Sequence, residues 1–99
     1  GVKIVAGTDT GYGADSAIRL SQELEELVEA GLTTFEAMQS ATIGAAELLR
    51  LESTTGRIAA GYDADLIIVD RNPLEDIGAL HDPLMVVNNG EIALDRLSW

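Results

Sequence analysis

Apolar positions along the chain change their period midway, and the change separates two kinds of element. Val2, Ile4, Val5 and Ala6 form a short run interrupted only by Lys3, the pattern of a strand buried on both faces. The run stops at Gly7-Thr8-Asp9-Thr10-Gly11, and Gly11-Tyr12-Gly13 reads as a Gly-rich turn. Asp15 or Ser16 is then placed to cap a helix that should reach about Ala30. Leu20, Leu24, Leu27 and Val28 fall at i, i+4, i+7 and i+8, one stripe of a helical period. Glu23, Glu25, Glu26 and Glu29 cover much of the remainder, and Gly31 sits where a left-handed C-terminal cap is expected. Thr33 and Glu36 match a capping box, which predicts a second helix to about Ala41. A third is expected from about Ile43 to Leu51.

From Gly56 onward the texture is that of short strands. Arg57-Ile58-Ala59-Ala60 reads as one, ended by the turn Gly61-Tyr62-Asp63. Leu66-Ile67-Ile68-Val69 is β-branched and continuous, so it predicts a buried strand. Asn72-Pro73 interrupts it, and Leu74 to Leu80 has room for a turn of helix. Met85-Val86-Val87-Asn88 and Ile92-Ala93-Leu94 flank Asn89-Gly90, a strong signal for a two-residue hairpin. The order predicts an α/β chain: a strand with helices first, then a small antiparallel sheet.

Composition limits the possibilities. With 46% apolar and 23% charged residues in 99, the chain can form one small globular domain. Only 4% of residues are aromatic, so the core must come from Leu, Ile, Val and Ala. Such a core is thin for a chain without a disulfide, and help from a partner surface is expected. Seventeen acidic against six basic side chains give a formal charge of −11, which repels nucleic acid and anionic membrane surfaces. The absence of cysteine removes disulfide and thiolate chemistry and is compatible with the cytoplasm, the expected compartment. No apolar run approaches the roughly 20 residues of a membrane span. The opening lacks both the pattern of a signal peptide and an initiator Met, and a start inside an apparent strand is what a piece of a longer chain would show.

Few residues carry candidate chemistry. Taken alone, Asp9 is a turn-capping aspartate. His81, the single histidine, reads as a solvated loop residue, because a zinc site needs three or four protein ligands. Asp63, Asp65 and Asp70 lack the spacing of an EF-hand loop. The glutamates from Glu23 to Glu29 read as a solvated helix face. The Gly-rich turn before a helix start leaves a small-anion site as a minor reading, although no Lys or P-loop spacing supports it.

The ordered set of segments nevertheless resembles a family. Gly7-Thr8-Asp9 at a strand end, Glu23-Leu24, Ala30-Gly31-Leu32-Thr33, Glu36-Ala37, Ala41-Thr42 and Ala45 to Leu49 are similar to the last barrel strand and following helices of the amidohydrolase superfamily. Gly56-Arg57-Ile58-Ala59-Ala60-Gly61-Tyr62-Asp63-Ala64-Asp65-Leu66, then Asn72 to Ile77 and Val86 to Glu91, resemble its C-terminal return. The likeness is nearest to the imidazolonepropionase-like branch, which includes Xaa-Pro dipeptidases. It implies that residues 1–55 are the end of a (β/α)8 barrel and residues 56–99 part of a composite β-sandwich. It also implies one or two metals, usually zinc, at the strand ends. Asp9 maps onto the family's last-strand Asp, which binds metal and shuttles a proton. The family's His-x-His pair, its bridging Lys or acidic ligand and its two further His ligands have no counterpart in this chain.

The resemblance therefore implies the C-terminal portion of a metal-dependent hydrolase acting on carbon–nitrogen bonds of small amides or dipeptides. Zinc is expected in the parent enzyme, and neither metal nor activity in the chain alone. The alternative is a non-catalytic oligomerisation or protein-interaction module that uses exposed strand edges, the run from Val2 to Ala6 and the hairpin. Self-association is expected on either reading.

Overall fold

A computed structural model describes residues 2–8 and 19–97. Helix α1 spans Leu20–Glu29, α2 Thr34–Ala41 and α3 Ile43–Leu48. Strand β1 covers Leu66–Ile68, followed by a 3-10 helix at Ile77–His81, β2 at Met85–Asn88 and β3 at Glu91–Asp95. The chain is thus a small α/β fold, three helices followed by an antiparallel sheet in the order β1-β2-β3.

Each helix end has a local cause. The expected caps Asp15 and Ser16 lie outside the described residues. Helix α1 begins at Leu20, where the Arg19 N–H donates to the Gln22 side-chain oxygen at 3.0 Å. It ends in paired bonds, Gly31 N–H to the Val28 carbonyl and Leu32 N–H to the Leu27 carbonyl, both 3.1 Å, with Gly31 at φ 123°. This is the reversed-turn cap anticipated from the glycine. The α2 capping box is present: Glu36 N–H donates to Thr33 Oγ1 at 3.1 Å, and Thr33 N–H to Glu36 Oε1 at 2.9 Å. The Thr33 backbone N–H, and then the Thr33 hydroxyl, stabilise the Glu36 carboxylate and hold its pKa below the usual range.

Helix α3 stops three residues before the expected Leu51. The same pair of bonds closes it, Arg50 N–H to the Glu47 carbonyl and Leu51 N–H to the Ala46 carbonyl, with Arg50 at φ 60°. A left-handed stop usually advertises itself with glycine, and here a side-chain-bearing residue occupies it, so the sequence carries no warning.

The core lies where the helices meet the 3-10 helix. Leu24 of α1, Ala37 of α2 and Ile77 of the 3-10 helix are buried together, with Ala6, Leu27, Val28, Met38, Ala41 and Leu80 packed around them. The α1 stripe is therefore largely the expected one, although Leu20 stays half exposed. The core residues come from both the helical and the sheet portions of the chain, so burial at this point joins them.

In the sheet, Asn89 and Gly90 take φ 51° and 79°, the left-handed pair of a type I′ turn. The register then runs Asn88 to Glu91 and Val87 to Ile92, and shifts at Val86, which faces Leu94. Ala93 is the extra residue of that bulge.

Three expectations need correction. The segment from Val2 to Ala6 pairs with no strand among the described residues, and Val2 and Ile4 are exposed. A parallel strand is held by neighbours on both sides, and the described residues supply neither. Arg57 to Ala60 also forms no strand, and Ile58 is 89% exposed. Strand β1 forms at the expected place but is not buried: Ile67 and Ile68 point to opposite faces of the sheet and both remain exposed, because no described layer fully covers either face.

Two substitutions test this packing in opposite directions by urea unfolding. Leu24→Ala should cost about 3 kcal/mol through a cavity at the helix junction. Arg50→Gly should raise stability by roughly 0.5–1 kcal/mol by relieving the left-handed conformation.

Candidate functional site

The segment that leads to Asp9 is fixed to the helices by a short set of contacts. Ala6 N–H donates to the Ser40 carbonyl at 3.0 Å, and Ala6 packs against the core. Ser40 is itself buried, its hydroxyl donating to the Ala37 carbonyl at 2.6 Å. Lys3 Nζ lies 2.6 Å from Glu47 Oε2 on α3. That hydrogen bond, followed by the lysine's charge, lowers the Glu47 carboxyl's pKa, though both side chains are half exposed and the pair adds little stability. The described part of this segment ends at Thr8, and Asp9 lies outside the described residues.

His81 is not the solvated loop residue expected. It closes the 3-10 helix, half buried, with Nδ1 2.9 Å from Ser21 Oγ and Nε2 3.1 Å from Glu25 Oε2. A carboxylate only accepts, so Nε2 is the donor toward Glu25, while the Ser21 hydroxyl can either donate to Nδ1 or accept from it. The Arg19 guanidinium donates to the His81 carbonyl at 3.1 Å. Ser21 and Glu25, four residues apart, share one face of α1, so a single imidazole can reach both. The partner lies some 60 positions along the chain, a pairing that local periodicity does not reveal. Beside this cluster is an apolar cleft of about 350 Å³ lined by Leu20, Leu24, Met38, Ala41 and Leu80.

Asp65 does more than end a turn. Its carboxylate accepts from Asn89 N–H at 2.7 Å and from Thr55 Oγ1 at 2.8 Å, while Gly90 N–H donates to the Ala64 carbonyl at 3.0 Å. The tip of the hairpin is thereby clamped to the segment before β1. Nearby, Tyr62 donates its hydroxyl to the Glu52 carbonyl at 2.8 Å, and the Arg57 guanidinium lies over its ring at 5.7 Å. The Asn89 amide and then the Thr55 hydroxyl stabilise the Asp65 carboxylate and lower its pKa.

These donors do not add up to a metal centre. Among the described residues no three His, Cys, Asp or Glu side chains converge as a metal requires. Both His81 nitrogens are engaged, and Asp65 is committed to the hairpin. What the described arrangement provides is a scaffold, with the helices holding the chain that enters Asp9.

Comparison with known proteins bears on this arrangement. The model of the Amidohydrolase family matches residues 1–93. Ochratoxinase of Aspergillus niger is 37% identical over 89 residues, which are 89% of this chain and 18% of that protein. The crystal structure of a Xaa-Pro dipeptidase with bound methionine in the active site superposes with a TM-score of 0.83 at 41% identity, over 93% of this chain and 22% of the dipeptidase. The crystal structure of an amidohydrolase superposes with a TM-score of 0.89 at 34% identity, over 99% of this chain and 24% of that one. The chain therefore spans about a fifth of the length of the relatives it matches.

The Asp65 clamp has a pH signature. A carboxyl whose pKa is depressed by folding stabilises the fold above its unfolded pKa, and that stabilisation is lost as pH falls through the folded value. Asp65→Asn should lower the urea midpoint at neutral pH and flatten its decline on acidification, so that the two proteins converge in strong acid. Parallel curves would show that the clamp carries no such linkage.

Proposed function

We infer a hydrolytic role from one premise: the chain belongs to the amidohydrolase family. The reading is that it forms the C-terminal portion of a metal-dependent enzyme that hydrolyses carbon–nitrogen bonds in small amides or dipeptides. The family match across residues 1–93 is the observation that carries it. Residues 1–55 would supply the last strand and helices of the barrel, and residues 56–99 a part of the composite β-sandwich. The strand-like segments that find no partner among the described residues are in keeping with this division. Val2, Ile4, Ile58 and Ile67 lie exposed on the surfaces that neighbouring strands and a second layer would cover.

Asp9 is the residue proposed to act. A carboxylate at the end of a rigid strand can take the proton of an attacking water and return it to the leaving nitrogen. It is also proposed as one donor to a divalent metal, zinc by preference. The described side chains do not complete a donor set, so the other ligands are proposed to come from elsewhere in a longer polypeptide. On this reading the isolated chain is inactive. The substrate is left to loops of the rest of the barrel, since in this architecture they line the site. An interaction module built on bare strand edges is less economical, because the same exposed surfaces are accounted for by the missing neighbours of a barrel and sandwich.

A chimera provides the test. This chain would replace the corresponding fifth of a Xaa-Pro dipeptidase, and hydrolysis of an Xaa-Pro dipeptide would be followed. The chimera should turn over substrate, and Asp9→Asn within it should cut kcat by about 10²-fold or more with the fold intact by circular dichroism. An Asp9→Asn chimera that keeps full activity would remove Asp9 from the chemistry.

A further inference from the structure

We propose that Asn89-Gly90 is a latent site of spontaneous deamidation, kept closed by the Asp65 clamp and opened whenever the hairpin tip undocks. The reaction needs no enzyme. The Gly90 backbone nitrogen attacks Asn89 Cγ, a C–N bond forms, and the side-chain amide leaves as ammonia with the displaced proton. Water then opens the resulting succinimide at either carbonyl, which gives aspartate or isoaspartate at position 89. Overall one water is consumed and one ammonia released, with no change of oxidation state.

Three features of the turn set the reactivity. Residue 90 is glycine, so no side chain hinders the approach of its nitrogen, and nothing lies within 4 Å of where a Cβ would stand. Asn88, Asn89 and Gly90 are all exposed, so water reaches the intermediate. Opposing these, the attacking group is occupied: Gly90 N–H donates to the Ala64 carbonyl at 3.0 Å. The amide of Asn89 is held in turn by Asp65 Oδ1 at 2.7 Å, which fixes the left-handed pair at φ 51° and 79°. With the peptide groups on either side of Asn89 both pinned, the Gly90 nitrogen cannot swing onto the Asn89 side chain. The barrier to reaction is therefore the cost of releasing the tip.

The products would not return to the docked state. Aspartate at 89 puts a second carboxylate on the residue whose N–H the Asp65 carboxylate accepts, and the like charges oppose one another. Isoaspartate routes the main chain through the former side chain, and a two-residue turn with an added backbone carbon no longer aligns Asn88 with Glu91. Each opening thus risks a one-way loss of the hairpin, and the site would act as a record of how often the sheet has frayed.

Peptide mapping by mass spectrometry tests the proposal through the mass gain of amide-to-acid exchange and the separation of the aspartate and isoaspartate peptides. At mildly alkaline pH the native protein should convert many-fold more slowly than the same protein in denaturant. Asp65→Ala should react several-fold faster than the parent in native buffer and at the same rate in denaturant, whereas Gly90→Ala should be slow in both. Equal rates for native and denatured parent protein would overturn the proposal, as would an unchanged native rate in Asp65→Ala. Should that variant fail to fold, the unaltered protein in sub-denaturing urea is decisive. Its deamidation should rise in step with hydrogen exchange of the Gly90 amide, and a rate that stays flat while exchange climbs would contradict the gate.

Discussion

The contact among Leu24, Ala37 and Ile77 is what makes one object of two unlike halves. Residues near the N-terminus form helices and those near the C-terminus form a sheet, and neither half has a large core of its own. No large side chain among the described residues is completely enclosed, and the tightest position, Ala37, is fully buried because it is small. Small size allows α1, α2 and the 3-10 helix to approach one another closely. His81 reinforces the same joint from its edge, since its ring bridges two α1 side chains that point toward the 3-10 helix. Loss of this joint would free the helices that hold Ala6 and the approach to Asp9.

The segments with strong local grammar were legible in the sequence. The Thr33 and Glu36 capping box, the Gly31 stop and the Asn89-Gly90 turn each depend on residues within four positions of one another, and each is found as expected. Elements that depend on distant neighbours were not. Val2 to Ala6 and Arg57 to Ala60 have strand composition, but a strand exists only where a partner offers its ladder, and composition does not show whether one is present. Arg50 hid the end of α3 because it adopts a conformation that its side chain disfavours. His81 hides its role for a related reason: its partners lie on a helix far away in sequence, and a single histidine looks solitary until the chain is folded.

Asp65 shows how one residue of a family-resembling motif can have a structural reason apart from catalysis. The run Gly61-Tyr62-Asp63-Ala64-Asp65 brings a carboxylate and a backbone carbonyl to the two amides at the hairpin tip. Asn89-Gly90 sets the turn locally, and those two contacts anchor it to the segment before β1 and, on the proposal above, protect its Asn-Gly bond. Asp9 differs in kind. Its proposed importance comes from the family and from its position just beyond a segment that the helices fix, and a lone carboxylate gains hydrolytic meaning only in the company of further donors.

That dependence is the centre of the account, and zinc titration of the purified 99-residue chain by calorimetry, with metal content after dialysis, probes it most directly. Weak, substoichiometric binding that Asp9→Asn barely alters is the expected result. Tight one-to-one binding that survives dialysis would contradict it, since the chain would then possess a complete metal centre of its own.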